Sequence, residues 1–403
     1  MRRRLAIVIS MRLRLRILSC LVSIPLFSSS LFSGAQTKPK VPVSSTKPKP
    51  SAAFEDLAKR ADEAWRASRF EEAAKLYSQT VELRPTWTIG WTRLSGCLYQ
   101  LNRYAEARDA AREVTILTPK DGPSWAYLGL CEYELRDYRN SFEDLSKGEQ
   151  LGLAENRDLT AQVKYHLAIL WNTAGRFENG LAEILWFPQQ NLGSPEIIQA
   201  IGLSVLRIPK FPNEVSDDEQ EMTLLAGKAG FAANAQNMDG AHTFYEQLAT
   251  KYPNERNVHY AYGQFLSHLD LDAALKEYEK EIEINPSQAL ARIEAAYLYL
   301  KMGQLDKALS YSQEAIKLLP QNPAGHNLIG RILLELNRPS DAIPELVTAT
   351  RLAPRNSTFH LQLARAYQKS GDTALATKEM AAFNDLEKKR TEAQPGKSEL
   401  PPQ

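Results

Sequence analysis

The amino-acid sequence predicts an all-α solenoid built from antiparallel helix pairs, and three observations carry this prediction. First, Pro286, Pro320 and Pro354 lie 34 residues apart. Second, small and apolar residues return in the same order between these prolines. Third, the apolar residues within each period fall at i, i+3, i+4 and i+7, the spacing of one face of a helix. A fixed period of about 20–50 residues indicates an array of repeated supersecondary units.

Each period is expected to form two amphipathic helices. A turn containing Gly, Asn or Asp and then an aromatic residue divides them, and the proline follows the second helix because proline cannot continue it. Helices pack closely only where side chains are small, so a small residue in the first helix is expected to face an alanine in the second. Neither pair buries its apolar face alone, so neighbouring pairs must stack. The recurring residues are Ala296, Gly303, Ala308, Ala315 and Pro320 in one unit, and Gly330, Ala342, Ala349 and Pro354 in the next.

This order of residues resembles the tetratricopeptide repeat, whose 34-residue pattern runs Trp, Leu-Gly, Tyr, Ala, an aromatic residue, Ala and Pro. Trp125, Leu128 and Gly129 match its first half most clearly, and the alanines and prolines above match its second half. The resemblance covers about residues 54–385. It implies a right-handed superhelical solenoid whose first helices line a concave groove that binds a protein or peptide. It names no particular partner.

The pattern divides the chain into six parts. The stretch 188–220 interrupts the period, since it holds one short apolar helix and no second helix. It is interpreted as a degenerate repeat with a long surface loop, or alternatively as a hinge or an extra docking element. The predicted parts are a signal peptide (1–35), a disordered linker rich in Pro, Lys and Ser (36–53), about four repeats (54–187), the degenerate stretch (188–220), about five repeats with a capping helix (221–386), and a charged helix end with a disordered tail (387–403).

The N-terminus has the composition of an export signal. Arginines precede the apolar run 17–32, and the small residues Ser33, Gly34 and Ala35 are suited to cleavage before Gln36. We therefore expect a periplasmic or secreted protein, with Met11 as an alternative start. The other interpretation is an uncleaved anchor that holds the protein at the inner membrane, although a run of about 16 residues is short for a membrane span. Cys20 loosely suggests a lipoprotein signal.

Composition and motifs argue against several function classes. The first 35 residues hold six arginines and no acidic residue, so the remainder has 43 basic and 48 acidic residues and no basic excess for nucleic acid. The sequence contains no GxSxG, HExxH, Walker or CxxC motif. We therefore expect a non-catalytic scaffold without a cofactor, metal or small-molecule substrate, whose partner is a protein or peptide.

Two pairs of residues recur with the 34-residue spacing and need an interpretation. His326 and His360 stand where other repeats carry tryptophan. They are interpreted as filling the same slot between helices, with metal binding as the alternative. Cys97 and Cys131 occupy equivalent places in neighbouring repeats and are interpreted as small buried fillers, with a disulfide as the alternative.

The predicted partner-binding groove is aromatic in its first half and basic in its last two repeats. Arg331 and Arg365 are suited to hold carboxylates of an acidic peptide or tail, and aromatic and Arg anchors are typical of binding hot spots. The alternative is that the tyrosines pack between neighbouring first helices. The predicted groove residues are Trp65, Tyr99, Tyr133, Tyr165, Tyr260, Tyr297, Asn327, Arg331 and Arg365, continued by Gln368 and Lys369.

Overall fold

The computed structural model describes residues 52–392, and every regular element within them is helical. The predicted signal peptide, most of the predicted linker and the C-terminal tail from residue 393 lie outside the described residues. The helices are α1 Ala52–Arg66, α2 Phe70–Leu83, α3 Thr88–Gln100, α4 Tyr104–Leu117, α5 Gly122–Glu134, α6 Tyr138–Leu151, α7 Arg157–Thr173, α8 Phe177–Ile184, α9 Trp186–Gln189, α10 Pro195–Val205, α11 Asp217–Asn234, α12 Met238–Lys251, α13 Val258–Leu266, α14 Leu271–Ile284, α15 Ala289–Lys301, α16 Leu305–Leu318, α17 Pro323–Glu335, α18 Pro339–Leu352, α19 Ser357–Ser370 and α20 Thr373–Glu392.

The helices form two compact units. Unit 1 extends to Ser204 and includes Ile208–Val215, whereas unit 2 comprises Val205–Arg207 and the residues from Ser216 onward. Unit 1 holds four helix pairs, α1/α2 to α7/α8, followed by α9 and most of α10. Unit 2 holds five pairs, α11/α12 to α19/α20. The division between the units falls inside the stretch 188–220, where the sequence loses its period. The all-α fold of stacked helix pairs is therefore confirmed.

Within residues 52–392, the turn inside eight of the nine pairs has a repeating backbone conformation, and the turn between α13 and α14 is the exception. The last turn of the first helix is followed by a residue with positive φ, which closes the helix and reverses the chain. After α1, the N–H of Arg69 donates to the carbonyl of Ala64 at 2.9 Å. Two sets of these positive-φ residues follow the 34-residue period: Ser68, Asn102 and Arg136 in unit 1, and Gly303, Asn337 and Gly371 in unit 2.

The prolines end the pairs as predicted. Helix α2 ends at Leu83 and Pro85 follows two residues later, and the same interval separates Leu352 from Pro354. Where the proline is missing, helix α6 ends at Leu151 and Gly152 has a φ of 93°. A left-handed glycine therefore ends this helix in place of proline, so the repeat keeps its length.

The close approach within a pair depends on small residues in the first helix. Ser95 faces an alanine as predicted, since its Oγ donates to the carbonyl of Ala107 at 2.8 Å, whereas a leucine stands opposite Gly129 and Gly330. A Cβ added to Gly129 would lie 2.8 Å from Cγ of Leu145, and one added to Gly330 would lie 2.4 Å from Cγ of Leu346. Both leucines are fully buried. The absent side chain of the first helix thus makes room for a leucine of the second helix, which fills the space that an alanine would leave empty.

The two cysteines are buried free thiols, as the filler interpretation predicted. Burial raises the pKa of Cys97 and of Cys131 to about 12. A thiol in this state is unreactive because thiolate is the nucleophilic form.

Candidate partner-binding site

Three predicted groove aromatics of unit 1 pack inside their own repeats. Each lies near the end of a first helix, five residues before the aromatic that opens the second helix, and the two rings meet edge to face. Only 4% of Trp65 and 8% of Tyr99 is exposed, so the folded unit offers a partner little of either ring. The pairs are Trp65–Phe70, Tyr99–Tyr104 and Tyr133–Tyr138, with centroids 5.7, 5.2 and 5.5 Å apart.

Two of the predicted aromatics of unit 1, Tyr133 and Tyr165, are half-buried beside a histidine. The ring of Tyr133 lies 4.4 Å from that of His166, and the ring of Tyr165 lies 5.4 Å from it. Burial lowers the pKa of His166, whose Nδ1 faces the carbonyl of Gln162 at 2.7 Å. These contacts are the packing that the alternative interpretation described, and partner contact by these tyrosines stays a prediction.

Two of the predicted residues in unit 2 are also buried. Tyr260 is 3% exposed, and its hydroxyl accepts a hydrogen bond from Nε2 of Gln264 at 2.9 Å. Asn327 is 7% exposed, and its Oδ1 meets no donor among residues 52–392. Neither side chain presents a surface to a partner in this conformation.

The other predicted residues of unit 2 come together in one cleft, here called the basic cleft. It has a volume of about 640 Å³ and lies along the C-terminal halves of the first helices α15, α17 and α19. Each helix contributes residues from equivalent places in its repeat, because the repeats stack in register. The lining residues are Tyr297, Leu300, Lys301, Gly303, Leu305, Arg331, Leu334, Glu335, Gln362, Arg365, Gln368 and Lys369.

The charge of the basic cleft is strongly one-sided. Its lining carries four cations and the single carboxylate of Glu335. The guanidinium of Arg331 and the ammonium of Lys301 lie 5.8 and 4.9 Å from the ring centroid of Tyr297. Within the described residues, no carboxylate lies within 4.0 Å of the charged nitrogens of Arg331, Arg365 or Lys301. Their guanidinium and ammonium groups are therefore available to a carboxylate from outside.

Unit 1 contains a second cleft, here called the unit 1 cleft, of about 810 Å³. Its lining is mainly apolar, and Ile89 is 55% exposed there. Its charged residues are Arg93 and Arg157 together with three acids, so no single sign dominates. The guanidinium of Arg93 already lies over the ring of Trp65 at 4.9 Å. Charge alone therefore selects no ligand for this cleft.

In several repeats a side-chain ring nitrogen donates a hydrogen bond to the carbonyl of the proline that ends the preceding repeat. In unit 1, Nε1 of a tryptophan donates to the carbonyl of the proline six residues earlier. In unit 2 a histidine Nε2 makes the equivalent bond, which confirms that His326 and His360 occupy the tryptophan slot. His259 is a third member, and its position six residues after Pro253 is the sequence signal that would have found it. The bonds are Trp91–Pro85 (2.8 Å), Trp125–Pro119 (3.0 Å), His259–Pro253 (3.0 Å), His326–Pro320 (3.0 Å) and His360–Pro354 (3.1 Å).

Comparison with known families identifies the repeats. Family models described as tetratricopeptide repeat match residues 58–122, 265–332 and 327–383. The matched residues are therefore tetratricopeptide repeats, as the residue pattern indicated.

Of two similar curated proteins, one is named an organising protein and the other a co-chaperone. The chain is 22% identical over 285 residues to the Hsp70-Hsp90 organising protein of Plasmodium falciparum, a match that covers 62% of this chain and 50% of that protein. It is 23% identical over 99 residues to the heat-shock protein cognate co-chaperone sgt12 of Aspergillus fumigatus, covering 25% of this chain and 29% of that protein. The chain thus spans half the length of the first relative and less of the second.

Solved structures of MamA are similar in part. One titled MamA 41-end from Desulfovibrio magneticus RS-1 has a TM-score of 0.40 at 18% identity, covering 44% of this chain and 98% of that one. A MamA RS-1 double mutant gives the same TM-score at 19% identity, covering 44% of this chain and 98% of that one.

Proposed function

We propose that this protein is a non-catalytic scaffold that holds an acidic peptide segment of a partner protein in the basic cleft of unit 2. The observation that carries this proposal is the set of unpaired cations on three stacked helices. A planar guanidinium binds a carboxylate through two parallel hydrogen bonds, and the repeat spacing offers such groups in a row. Tyr297 adds a half-buried aromatic surface beside them.

The comparisons support the scaffold class. Tetratricopeptide-repeat proteins present helix pairs to protein or peptide partners, and the two curated relatives are named as an organising protein and a co-chaperone. Because the chain spans only half of the organising protein, that protein's own partners are not transferred here. What supports an acidic ligand in particular is the charge of the basic cleft in this chain.

The proposal is tested with a labelled eight-residue peptide rich in Asp and Glu that has a free C-terminal carboxylate. Fluorescence anisotropy measures its affinity for the full chain and for the double variant Arg331→Gln/Arg365→Gln. Charge-assisted hydrogen bonds contribute about 1.5–3 kcal/mol each, so the variant is expected to bind at least about tenfold more weakly. Binding should also weaken as salt rises, because the groups are partly exposed.

A matched variant separates a specific cleft from general charge attraction. Arg351→Gln/Arg355→Gln removes the same charge from exposed residues outside the cleft lining. It should bind the acidic peptide like the wild type, and an isosteric Asn/Gln peptide should bind neither protein. If the two double variants lose affinity equally, the basic cleft is not the binding site.

Export from the cytoplasm is part of the proposal and rests on the N-terminal composition. Residues 1–51 lie outside the described residues, and no helix within 52–392 is long and apolar enough to cross a membrane. Sequencing the N-terminus of the protein from its native host tests the proposal. A mature start at Gln36 supports a periplasmic or secreted scaffold. An intact Met1 or Met11 in the membrane fraction supports the alternative of a membrane-anchored assembly factor.

A further inference from the structure

The three slot histidines of unit 2 differ from the tryptophans of unit 1 in having a second ring nitrogen, and each directs it at a glutamate. This glutamate lies 18 or 19 residues later, on the second helix of the same pair. The three side chains are 5, 11 and 14% exposed, so water does not compete freely for these contacts. The Nδ1–Oε2 distances are 2.5 Å for His259–Glu277, 2.6 Å for His326–Glu345 and 2.7 Å for His360–Glu379.

The proton count of these rings follows from their partners. The carbonyl at Nε2 accepts only, and an ionised carboxylate at Nδ1 also accepts only. A neutral imidazole has one N–H and satisfies one of the two, whereas an imidazolium satisfies both. The geometry therefore favours the doubly protonated ring in all three repeats. When the imidazolium loses one of its two N–H protons, either the proline carbonyl oxygen or the glutamate oxygen faces a nitrogen lone pair and loses its hydrogen bond.

We propose that these three histidine–glutamate pairs form a proton-dependent latch, which holds the first helices α13, α17 and α19 of unit 2 to their second helices and to the preceding prolines at neutral and mildly acidic pH. Each latch joins three points: the start of a first helix, the middle of its second helix, and the turn from the previous repeat. Deprotonation removes one of these joints in each of three repeats and loosens the same end of each pair.

The neighbouring charges at His259 support this assignment. Burial lowers the pKa of His259, but the hydrogen bonds with Glu277 and with the Pro253 carbonyl raise it by more, and the net direction is upward. Burial raises the pKa of Glu277, whereas hydrogen bonds from His259 and Lys280 outweigh burial and lower it. Lys280 lies 2.7 Å from the second oxygen of Glu277 and opposes the ring charge. Glu281 faces the same helix start, accepting from the backbone N–H groups of Asn257 and Tyr260.

The other two latches have simpler surroundings. The ionisable group that contacts His326 is Glu345 of α18, and the one that contacts His360 is Glu379 of α20. In the intervening repeat, Arg292 stands six residues after Pro286 and is 8% exposed. It directs its guanidinium at Glu314 at 3.3 Å. A permanent cation thus takes the place that protonated histidines take in the neighbouring repeats.

The sign of the pH effect follows from the raised pKa of His259. The stabilisation is fully present below the unfolded-state pKa of about 6.5 and is lost as the pH rises through the higher folded-state value. Unit 2 is therefore held more firmly at pH 6 than at pH 9. Unit 1 makes the same proline contact through indole N–H groups that do not titrate. Within unit 2, helix α15 carries the permanent cation of Arg292 in this place and provides the internal reference.

The test uses the full chain labelled with 15N-histidine, and nuclear magnetic resonance follows the ring nitrogens from pH 5.5 to 9. The ring of His259 should retain two N–H protons to a higher pH than the usual histidine value of about 6.5. Hydrogen exchange, corrected for intrinsic rates, should show protection at the starts of α13, α17 and α19 falling about tenfold as these protons are lost. Protection at the start of α15 should change less.

A matched set of variants keeps the test decisive. Glu277→Gln, Glu345→Gln and Glu379→Gln each remove one anion but keep an oxygen acceptor, so the paired ring should lose its second proton at lower pH. Each single variant changes one repeat and leaves the others as references. If the His259 ring loses its second proton at the usual pH for histidine, or if the starts of α13, α17 and α19 show no change in protection when the latch rings lose theirs, the latch does not exist.

Discussion

Units 1 and 2 make the same contact between neighbouring repeats with different side chains. In unit 1 an indole N–H donates to the proline carbonyl that closes the previous repeat, and Trp125 lies under the ammonium of Lys147 at 3.3 Å from its ring centroid. In unit 2 an imidazole makes that bond and adds a carboxylate partner. The donor residue stands six residues after the proline in both units, so the repeat determines the position of the donor. The choice of donor decides whether that part of the fold depends on pH.

The two clefts also differ in their side chains, in this case in the sign of their charge. The unit 1 cleft carries both signs of charge, whereas the basic cleft carries four cations and one carboxylate. One repeat architecture therefore presents one surface of mixed charge and one surface with an excess of positive charge. Differences in side chains at equivalent places, rather than differences in fold, separate the two units.

The largest expected effect comes from variants in the buried cores, which test whether the two units pack in the same way. Leu145 and Leu346 fill the space opposite Gly129 and Gly330, and both are fully buried. Leu145→Ala and Leu346→Ala should each destabilise their own unit by about 2–5 kcal/mol. Hydrogen exchange of each unit's helices reports the loss separately. A large loss in one unit and almost none in the other would contradict the equivalence of the repeats.

A smaller effect is specific to unit 1 and concerns its buried carboxylates. Glu132 is 1% exposed, and burial together with nearby Asp144 raises its pKa to about 8. The unfolded chain releases this proton near the usual value of about 4.5, so unit 1 loses stability as the pH rises from about 4.5 to 8. Glu132→Gln removes this dependence and should stabilise unit 1 by about 1–3 kcal/mol at pH 8.

Chemical denaturation at pH 5 and pH 8, followed by exchange of α5, measures this prediction. The gain should be larger at pH 8 than at pH 5. A variant that is destabilised equally at both values would show that Glu132 is held by hydrogen bonds in its ionised form.

The variant Trp125→Phe tests whether the indole N–H is the hydrogen-bond donor that stabilises this position in unit 1. The variant keeps an aromatic ring but loses the N–H to the Pro119 carbonyl, which costs about 1 kcal/mol. The loss should be the same at pH 6 and pH 9, because the indole does not titrate. A loss that depends on pH would mean that a titratable neighbour, and not the N–H donor, dominates this slot.

The smallest effect concerns exposed ion pairs that occur in both units. Arg103 pairs with Glu106 at 2.6 Å in unit 1, and Arg338 pairs with Asp341 at 2.7 Å in unit 2. Glu106→Gln and Asp341→Asn should each change stability by less than about 1 kcal/mol. Thermal unfolding should therefore place both variants near the wild type, and a clear drop for either would assign that pair a structural role.

The helix pairs were predictable because the residues that end their helices and form their turns recur at fixed positions in the sequence. Pro354 follows its helix at a fixed interval, and Gly371 supplies the positive φ that the turn requires. The shared cleft of Tyr297, Arg331 and Arg365 was also predictable, since equivalent places in stacked repeats come together. Their role in binding stays a prediction.

The other site predictions depended on contacts that spacing does not specify. The burial of Trp65 follows from its contact with Phe70, which depends on how the chain turns between two helices. The histidine–glutamate pairs join residues on different helices, so their geometry needs the crossing of those helices. Even so, Glu345 and Glu379 are 34 residues apart, like His326 and His360, and this shared spacing was the signal available in the sequence.

The most direct test of the proposed function is a hydrogen-exchange footprint of the full chain with the acidic eight-residue peptide. We expect added protection in the C-terminal halves of α15, α17 and α19 and none in α3 or α5. Protection confined to the unit 1 cleft, or no protection at peptide concentrations that saturate binding, would contradict the assignment of the basic cleft.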